Sequence, residues 1–258
     1  MRIVLTLFFW FIVFTQVVDA QVVYYSNTNL KCDPRDFSVS VHLVLDGAGN
    51  PNISVPEVES RLAQVSRYFE PICWTFTACK VDSIVNYSYD TLDLNRYIKL
   101  QKHFNDDHMI NLFFVDQAYQ TEFCHVANQD GMLEPEEASI VALRDCTVED
   151  IVHKIGHLFG LHDTWNLDEP ELVDGSNCTS TGDYLCSTPG DPYQPFSLIP
   201  FIDNDCNFNI GIQDANGDYY DPEVGNLMSG YGKCRNGFTL EQYETMKALY
   251  ESLDYAPW

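Results

Sequence analysis

Positive charge is scarce in this sequence, which carries 14 Lys and Arg residues against 38 Asp and Glu residues. The formal net charge of -24 gives a surface that repels nucleic-acid phosphates and anionic lipid headgroups. We therefore exclude nucleic acids and anionic membrane surfaces as partners, and we expect a well-solvated acidic surface.

Long hydrophobic runs are also scarce, because only the N-terminal stretch is long enough to cross a bilayer. It has Arg2, then an apolar run over residues 3–18, then small residues up to Ala20. This pattern predicts a cleaved signal peptide at residues 1–20, in preference to a retained membrane anchor. Internal repeats and linkers are missing too, so residues 21–258 are expected to form one secreted domain without membrane attachment.

Cysteine, by contrast, is present nine times, and all nine cysteines follow the predicted signal peptide. This usage indicates disulfide bonds and an oxidising compartment, and the odd number leaves one thiol free or paired with another chain. Asn52, Asn86 and Asn177 begin Asn-x-Ser/Thr sequons, which are glycosylation signals if the source is a eukaryote.

The apolar periodicity predicts an ordered first half and an irregular second half. We expect strands at residues 37–45, 72–76, 81–85, 109–115 and 139–143. Helices are expected to begin at the capping residues Ser54, Thr147 and Thr239. Residues 164–237 are rich in Gly, Pro, Asn, Asp and Cys, which is typical of loops held together by disulfide bonds.

The segment HKIGHLFGLHD at residues 153–163 carries the most chemical information. His153 and His157 are four residues apart on the third predicted helix, so both imidazoles can reach one metal ion. Gly160 allows the helix to end sharply, and the chain can then turn back with a third ligand. The alternative is a core helix that happens to contain two histidines.

One residue type is missing from this segment. In zinc peptidases with this spacing, the residue after the first histidine is a Glu that takes a proton from the metal-bound water. Here that residue is Lys154. The pattern therefore predicts a metal site without the general base that would use it.

Five segments, in order, resemble the pappalysin or cytophagalysin family of metzincin metallopeptidases, which is related to the catalytic domain of pregnancy-associated plasma protein-A. They are residues 41–44, 109–112, 153–165, 182–189 and 226–242. The resemblance implies an α+β, metzincin-like fold with a twisted, mainly parallel sheet and two backing helices. An irregular, disulfide-rich C-terminal subdomain with a Met-turn and a terminal helix would follow. The implied division is an upper subdomain at about 36–161 and a lower one at about 162–258.

The same resemblance implies roles for individual residues. Zinc would be held by His153, His157 and Asp163, which stands where the family has a third His, and His162 is the alternative ligand. Met228 would form the Met-turn beneath the metal. Tyr231 corresponds to a tyrosine that stabilises the reaction intermediate, but the preceding glycine shifts it by one place, which either lets it swing into position or abolishes that role.

Two further features follow from the resemblance. A disulfide bond between Cys206 and Cys234 would tie the loop before the Met-turn to the segment after it, and Cys178 and Cys186 are a candidate local pair. Family members bind calcium in the lower half. Residues 214–221 resemble a calcium loop in composition but lack the EF-hand spacing, so a solvated acidic turn is the other interpretation.

The resulting hypothesis is a secreted pappalysin-like homologue that holds zinc and binds a peptide or protein in its cleft while having lost most or all peptidase activity. The alternative is an active zinc endopeptidase with another base. A third possibility is a disulfide-rich structural protein without metal.

Overall fold

The structure is a computed structural model that describes residues 30–118, 125–127, 139–195 and 197–253. The predicted signal peptide at residues 1–20 and Cys124 lie outside this range. Within the described residues, no helix is long and apolar enough to cross a membrane.

A five-stranded sheet forms the centre of the upper half, in the spatial order β2-β1-β4-β7-β6. Its strands are Arg35–Val44 (β1), Trp74–Ile84 (β2), Ile110–Val115 (β4), His125–Ala127 (β6) and Ser139–Leu143 (β7). Neighbouring strands are parallel except β6, which runs antiparallel to β7. Thr91–Leu92 (β3) and Gln117–Ala118 (β5) form a separate parallel pair. All six residues of β4 are buried, which explains the continuous apolar run that predicts this strand.

The described helices are Val55–Tyr68 (α1), Leu94–Phe104 (α2), Val148–Leu158 (α3) and Leu240–Ser252 (α4). The main apolar cluster joins one face of the sheet to α1, α3 and α4. A second cluster covers the other face and includes Tyr97 and Leu100 of α2. The sheet is therefore buried on both sides, and the histidine-bearing helix α3 lies on the face opposite α2.

The caps of two helices match the prediction. Thr147 and Asp150 form a reciprocal capping box at the start of α3, and Thr239 and Gln242 do the same at the start of α4. Ser54 precedes α1, but its side chain makes no capping hydrogen bond. Two of the three predicted starts are therefore fixed by local hydrogen bonds, each within a single turn of helix.

Several elements differ from the prediction, which lacks the short strands β3, β5 and β6. The two short strands expected at 72–76 and 81–85 are one strand, β2, in which Cys79 is an extra residue between the partners of Val39 and Ser40. Pairing with β1 carries the strand through this bulge, where the sequence has no apolar signal. Helix α2 was not predicted, although Asp93 caps it and Tyr97 and Leu100 give it a buried face.

The lower half contains few regular elements, and disulfide bonds connect its loops. Cys206 is joined to Cys234, which is the pair that the resemblance implies, and Cys178 is joined to Cys186, which is the candidate local pair. A third disulfide bond, Cys32–Cys73, ties the chain before β1 to the turn before β2. Among the described residues Cys79 is an exposed free thiol.

Candidate metal centre

The end of α3 turns the chain back toward the histidines. Gly160 has a φ of +82°. The amide of Leu161 donates to Gly156 O and the amide of Gly160 to His157 O, both at 3.0 Å. This pair of bonds closes the helix in the manner that a left-handed glycine permits. The carbonyl of Leu161 and the side chain of Asp163 are thereby brought to the histidine face.

The two histidines are held in one tautomer. His153 Nδ1 lies 2.8 Å from Leu227 O, and His157 Nδ1 lies 2.8 Å from Leu161 O. Since a carbonyl oxygen can only accept, each Nδ1 carries the hydrogen, and each Nε2 of the neutral ring presents a lone pair. This is the arrangement by which proteins orient metal-binding histidines.

Three lone-pair donors converge at this point. The Nε2 atoms of His153 and His157 are 3.1 Å apart, and Asp163 Oδ1 is 3.4 and 3.5 Å from them. A tetrahedral ion with ligand bonds of about 2.0–2.1 Å requires ligand atoms roughly 3.3–3.4 Å apart. The donor set and its spacing therefore fit a zinc ion.

His162, the alternative third ligand, does not lie beside the two histidines. It is exposed, and its ring meets Tyr184 edge-on with the ring centroids 5.1 Å apart. The structure thus brings Asp163 to the two histidines and does not bring His162 to them.

The Met-turn lies directly under the histidine helix. Met228 is fully buried, and a Cβ on Gly156 would lie 2.6 Å from its Sδ. Gly156 therefore lets the methionine approach the turn of helix between His153 and His157. The carbonyl of Met228 accepts a hydrogen bond from the amide of Thr164 at 3.1 Å. This bond anchors the loop that presents Asp163.

Lys154 is buried at the same centre, with 5% of its surface exposed. Burial lowers the pKa of Lys154 to about 8, against the opposing effect of the Asp163 carboxylate. The amine has no carboxylate within ion-pair distance among the described residues. A buried amine therefore lies beside the candidate ligands, at the position where a zinc peptidase has its general-base Glu.

Arg235 is a residue of this region that the sequence did not reveal. Its Nε and Nη2 donate to Ser229 O at 2.9 and 2.6 Å, and its Nη1 donates to Asp150 Oδ1 at 3.1 Å. The guanidinium thus ties the Met-turn to the first turn of α3. The sequence signal is weak, because Asp150 lies 85 positions from Arg235 along the chain.

Asp191 is a second residue that the sequence did not reveal. Its buried carboxylate accepts the hydroxyl of Tyr231 at 2.7 Å and the hydroxyl of Thr164 at 2.6 Å. Burial raises the pKa of Asp191, and burial together with this carboxylate raises that of Tyr231. The Tyr231 hydroxyl is therefore bound to Asp191 in this structure, and its predicted role toward a reaction intermediate remains a prediction.

Gly230 leaves space for an aromatic ring beside the Met-turn. A Cβ at this position would lie 2.2 Å from Cδ1 and Cε1 of Tyr193. That ring cannot move freely, because it packs against Trp165, Phe201 and Tyr231. The glycine that shifts Tyr231 by one place is thus required by packing.

We expect Gly230→Ala to lower the free energy of unfolding by about 1–3 kcal/mol, which is the usual cost of overpacking a rigid core. Gly232→Ala is the matched control, because nothing lies within 4 Å of its Cβ position, and it should change stability by less than about 0.5 kcal/mol. Urea denaturation with the disulfide bonds intact measures both. Equal stability of the two variants would show that Tyr193 is not held in this position.

Two buried carboxylates lie together in the lower half. Asp183 accepts the hydroxyl of Thr188 at 2.8 Å and the amide of Leu185 at 3.0 Å. Glu171 Oε2 has no hydrogen-bond partner among the described residues. Burial, reinforced by Asp183, raises the pKa of Glu171 to about 7, and burial raises the pKa of Asp183 to about 6.

The raised pKa of Glu171 predicts a pH-dependent loss of stability. Between its ordinary value of 4.5 and about 7, the folded chain keeps a proton that the unfolded chain releases, so stability declines as the pH rises. Glu171→Gln removes this contribution. In metal-free buffer, the variant should gain up to about 3 kcal/mol over the unmodified protein between these pH values. The prediction would be contradicted if the difference in the free energy of unfolding between the variant and the unmodified protein stayed constant across this pH range.

The acidic loop at residues 214–221 is a closed turn. Asp214 Oδ1 accepts the amides of Asn216 and Asp218 at 2.8 and 3.0 Å, and its Oδ2 accepts the amide of Val173 at 2.9 Å. These contacts match the interpretation as an acidic turn, because backbone amides use the carboxylate that a calcium ion would need. Calcium binding here stays a prediction without structural support.

A second group of candidate ligands lies on the other face of the sheet. His42 Nδ1 is 2.8 Å from Asp82 Oδ1, and Lys80 Nζ joins Asp82 to Asp106 at 3.1 and 2.7 Å. Lys80 therefore already forms an ion pair with each of the two carboxylates. The alternating polar positions of Ser40 and His42 on β1 are the only sequence signal for this cluster.

Comparisons with known proteins identify the fold. A scan against protein-family profiles and a search of curated protein sequences find no match for this chain. Mirolysin in complex with a compound has a TM-score of 0.61 at 15% identity, covering 88% of this chain and 95% of that chain. Mature mirolysin of Tannerella forsythia in complex with a cleaved peptide has a TM-score of 0.59 at 16% identity, with coverages of 86% and 94%. A promirolysin mutant from the same organism has a TM-score of 0.56 at 16% identity, with coverages of 87% and 83%.

Mirolysin is a metallopeptidase of the metzincin type. Together with the mainly parallel sheet, this likeness confirms the predicted metzincin-like fold of the present chain. At 15–16% identity the likeness establishes the fold alone.

Proposed function

We propose that this chain is a secreted, zinc-holding homologue of the pappalysin-type metallopeptidases that binds peptide or protein segments in its cleft and cleaves them slowly or not at all. The observation that carries the proposal is Lys154. It is buried beside a metal-binding constellation at the position where a peptidase of this fold needs a carboxylate.

Zinc is the favoured ion because of the donor set. Two neutral imidazoles and one carboxylate suit Zn²⁺, and three protein ligands leave a fourth position open, as in catalytic zinc sites. When bound, the ion would polarise a water or a carbonyl oxygen. His153, His157 and Asp163 would hold it, while Leu227 O and Leu161 O keep the imidazoles oriented.

Lys154 explains the expected loss of cleavage. A protonated amine repels the zinc ion, and at an effective dielectric constant near 20 the repulsion over a few ångström is on the order of several kcal/mol. The amine is also not a carboxylate base, and removing a general base costs about 100-fold to 10,000-fold in rate. Hydrolysis is therefore expected to be slow even with zinc present.

Peptide binding is supported by the surface beside the Met-turn. A pocket of about 270 Å³ lies between residues 193–195, 197 and 199–202 on one side and residues 230–233 on the other. Aromatic and aliphatic side chains line it, among them Tyr193, Ile199, Phe201 and Tyr231. An apolar peptide side chain fits this lining, and a solved structure of the same fold is a complex with a cleaved peptide.

The test combines zinc content with peptide binding and cleavage. Protein loaded with zinc should retain members of a random peptide library on a column, and mass spectrometry should recover them uncut. Rapid cleavage that a chelator abolishes would instead support the alternative, an active zinc endopeptidase. Absence of zinc after reconstitution at neutral pH would support a structural protein without metal.

Secretion is part of the same proposal. Three disulfide bonds among the described residues need an oxidising compartment to persist. Detection of the chain in the culture medium, with an N-terminus near residue 21, would test the predicted cleavage.

A further inference from the structure

The three glycosylation sequons have different environments in the folded chain. The side-chain atoms Nδ2 and Oδ1 of Asn52 are buried without a hydrogen-bond partner among the described residues. Asn177 is half-buried and braces a turn, since its Oδ1 accepts the amide of Leu172 at 2.8 Å and its Nδ2 donates to Pro170 O at 3.3 Å. Asn86 is exposed and lies just after β2.

The turn at Asn86 presents its amide nitrogen to solvent. The side-chain oxygen Oδ1 accepts both the amide of Ser88 at 3.2 Å and its hydroxyl at 2.7 Å. This closes a local turn between the acceptor residue and the hydroxyl residue of the sequon. Nδ2 makes no hydrogen bond within the part of the chain that the structure describes, so a substituent on it would disturb no contact.

Two exposed apolar side chains flank the same residue. Val85 is 84% exposed and Tyr87 is 70% exposed. Both residues next to the acceptor in the chain therefore offer exposed apolar surface that a glycan could cover. The C–H faces of sugar rings pack well on such groups, in particular on an aromatic ring.

The position also keeps a bulky group away from the cleft. Ile84, the residue that ends β2, belongs to the apolar cluster on the α2 face of the sheet. Helix α3, which carries the histidines, packs on the opposite face. A glycan at Asn86 would therefore leave the candidate metal centre open.

We propose that Asn86 carries an N-linked glycan that covers Val85 and Tyr87, and that Asn52 and Asn177 remain unmodified. The co-reactant is an oligosaccharide linked to a polyprenyl pyrophosphate. A bond forms from Nδ2 to the anomeric carbon, and the bond from that carbon to the pyrophosphate oxygen breaks. The pyrophosphate leaves with the electron pair, and the amide proton passes to a base of the transferase. This inference is independent of the proposed activity.

Only glycosylated forms that still fold reach the medium, so the folded structure decides which sequons carry a glycan in the secreted chain. A glycan on Asn52 would have to be buried, because the amide atoms of this residue are buried. A glycan on Asn177 would crowd the turn that its amide braces. Only at Asn86 does the folded chain accommodate the product without rearrangement.

Glycopeptide mapping of the full 258-residue chain, expressed in a eukaryotic secretory cell, tests the proposal. One glycan is expected, at Asn86, and an amide-cleaving glycosidase should convert that residue to Asp. Asn86→Gln and Ser88→Ala should each remove the whole glycan mass. Asn52→Gln and Asn177→Gln are the matched controls and should leave that mass unchanged. A glycan on Asn52 or Asn177, or a chain without a glycan on Asn86, would overturn the proposal.

Discussion

Lys154→Glu is expected to raise the rate of peptide hydrolysis by a factor on the order of 100 to 10,000 over the unmodified protein, which is the usual contribution of a general base. The position already lies in the buried centre beside His153, and the new carboxylate would face a zinc ion instead of opposing it. The gain should be measured on zinc-loaded protein with fluorogenic peptides, and a chelator should abolish it.

The matched control is Lys154→Gln, which removes the positive charge without supplying a base. It should bind zinc at least as tightly as the unmodified protein, because the repulsion between amine and metal is gone, and it should not cleave peptides. A comparison of the two variants thereby separates the effect of charge on metal binding from the effect of a base on chemistry.

Two outcomes would change this interpretation. If the Lys154→Glu variant binds zinc but does not cleave peptides, a second catalytic element is missing. Tyr231 is then the first candidate, since its hydroxyl is bound to Asp191. If the unmodified protein already cleaves peptides rapidly and Lys154→Ala does not, the lysine itself is the base and the proposed function is wrong.

Asp163→Ala should weaken zinc binding by more than about 100-fold. Loss of a residue that merely supports a ligand already costs about 10-fold to 100-fold in affinity, and Asp163 is expected to contact the ion directly. Its Oδ1 lies 3.4 and 3.5 Å from the two imidazole nitrogens. Competition with a zinc-sensitive chelating dye at neutral pH measures the change.

His162→Ala is the control for this measurement, because it removes the neighbouring candidate ligand. His162 packs against Tyr184, so its loss should change zinc affinity by no more than about twofold. This change is smaller than the loss of affinity expected when a residue that supports a ligand is removed. The reverse result, with the metal lost in His162→Ala and retained in Asp163→Ala, would mean that the loop shifts when zinc binds and that His162 is the third ligand.

The features that could be predicted from the sequence are those in which all partners lie within about one helical turn or one strand. Thr147 and Asp150 cap α3, Gly160 ends it, and the apolar run of β4 specifies a buried strand. The histidine pair belongs to the same class, since helical geometry alone places residues four apart on one face. The resemblance to a family then predicted the order of these elements along the chain. The likeness to solved structures confirmed the predicted metzincin-like fold.

Tertiary structure decided everything that joins distant parts of the chain. Arg235 reaches Asp150 across 85 positions, and Asp191 binds Tyr231 across 40; neither contact has a local signature. The choice between His162 and Asp163 also depends on how the loop after Gly160 packs on the Met-turn, where Thr164 meets Met228. Local sequence sets backbone preferences over a few residues, whereas buried polar groups take whichever partner the packed chain brings near them. The sequence alone therefore predicted a candidate metal-binding helix without the usual Glu, and only the folded chain determined which side chains lie beside its two histidines.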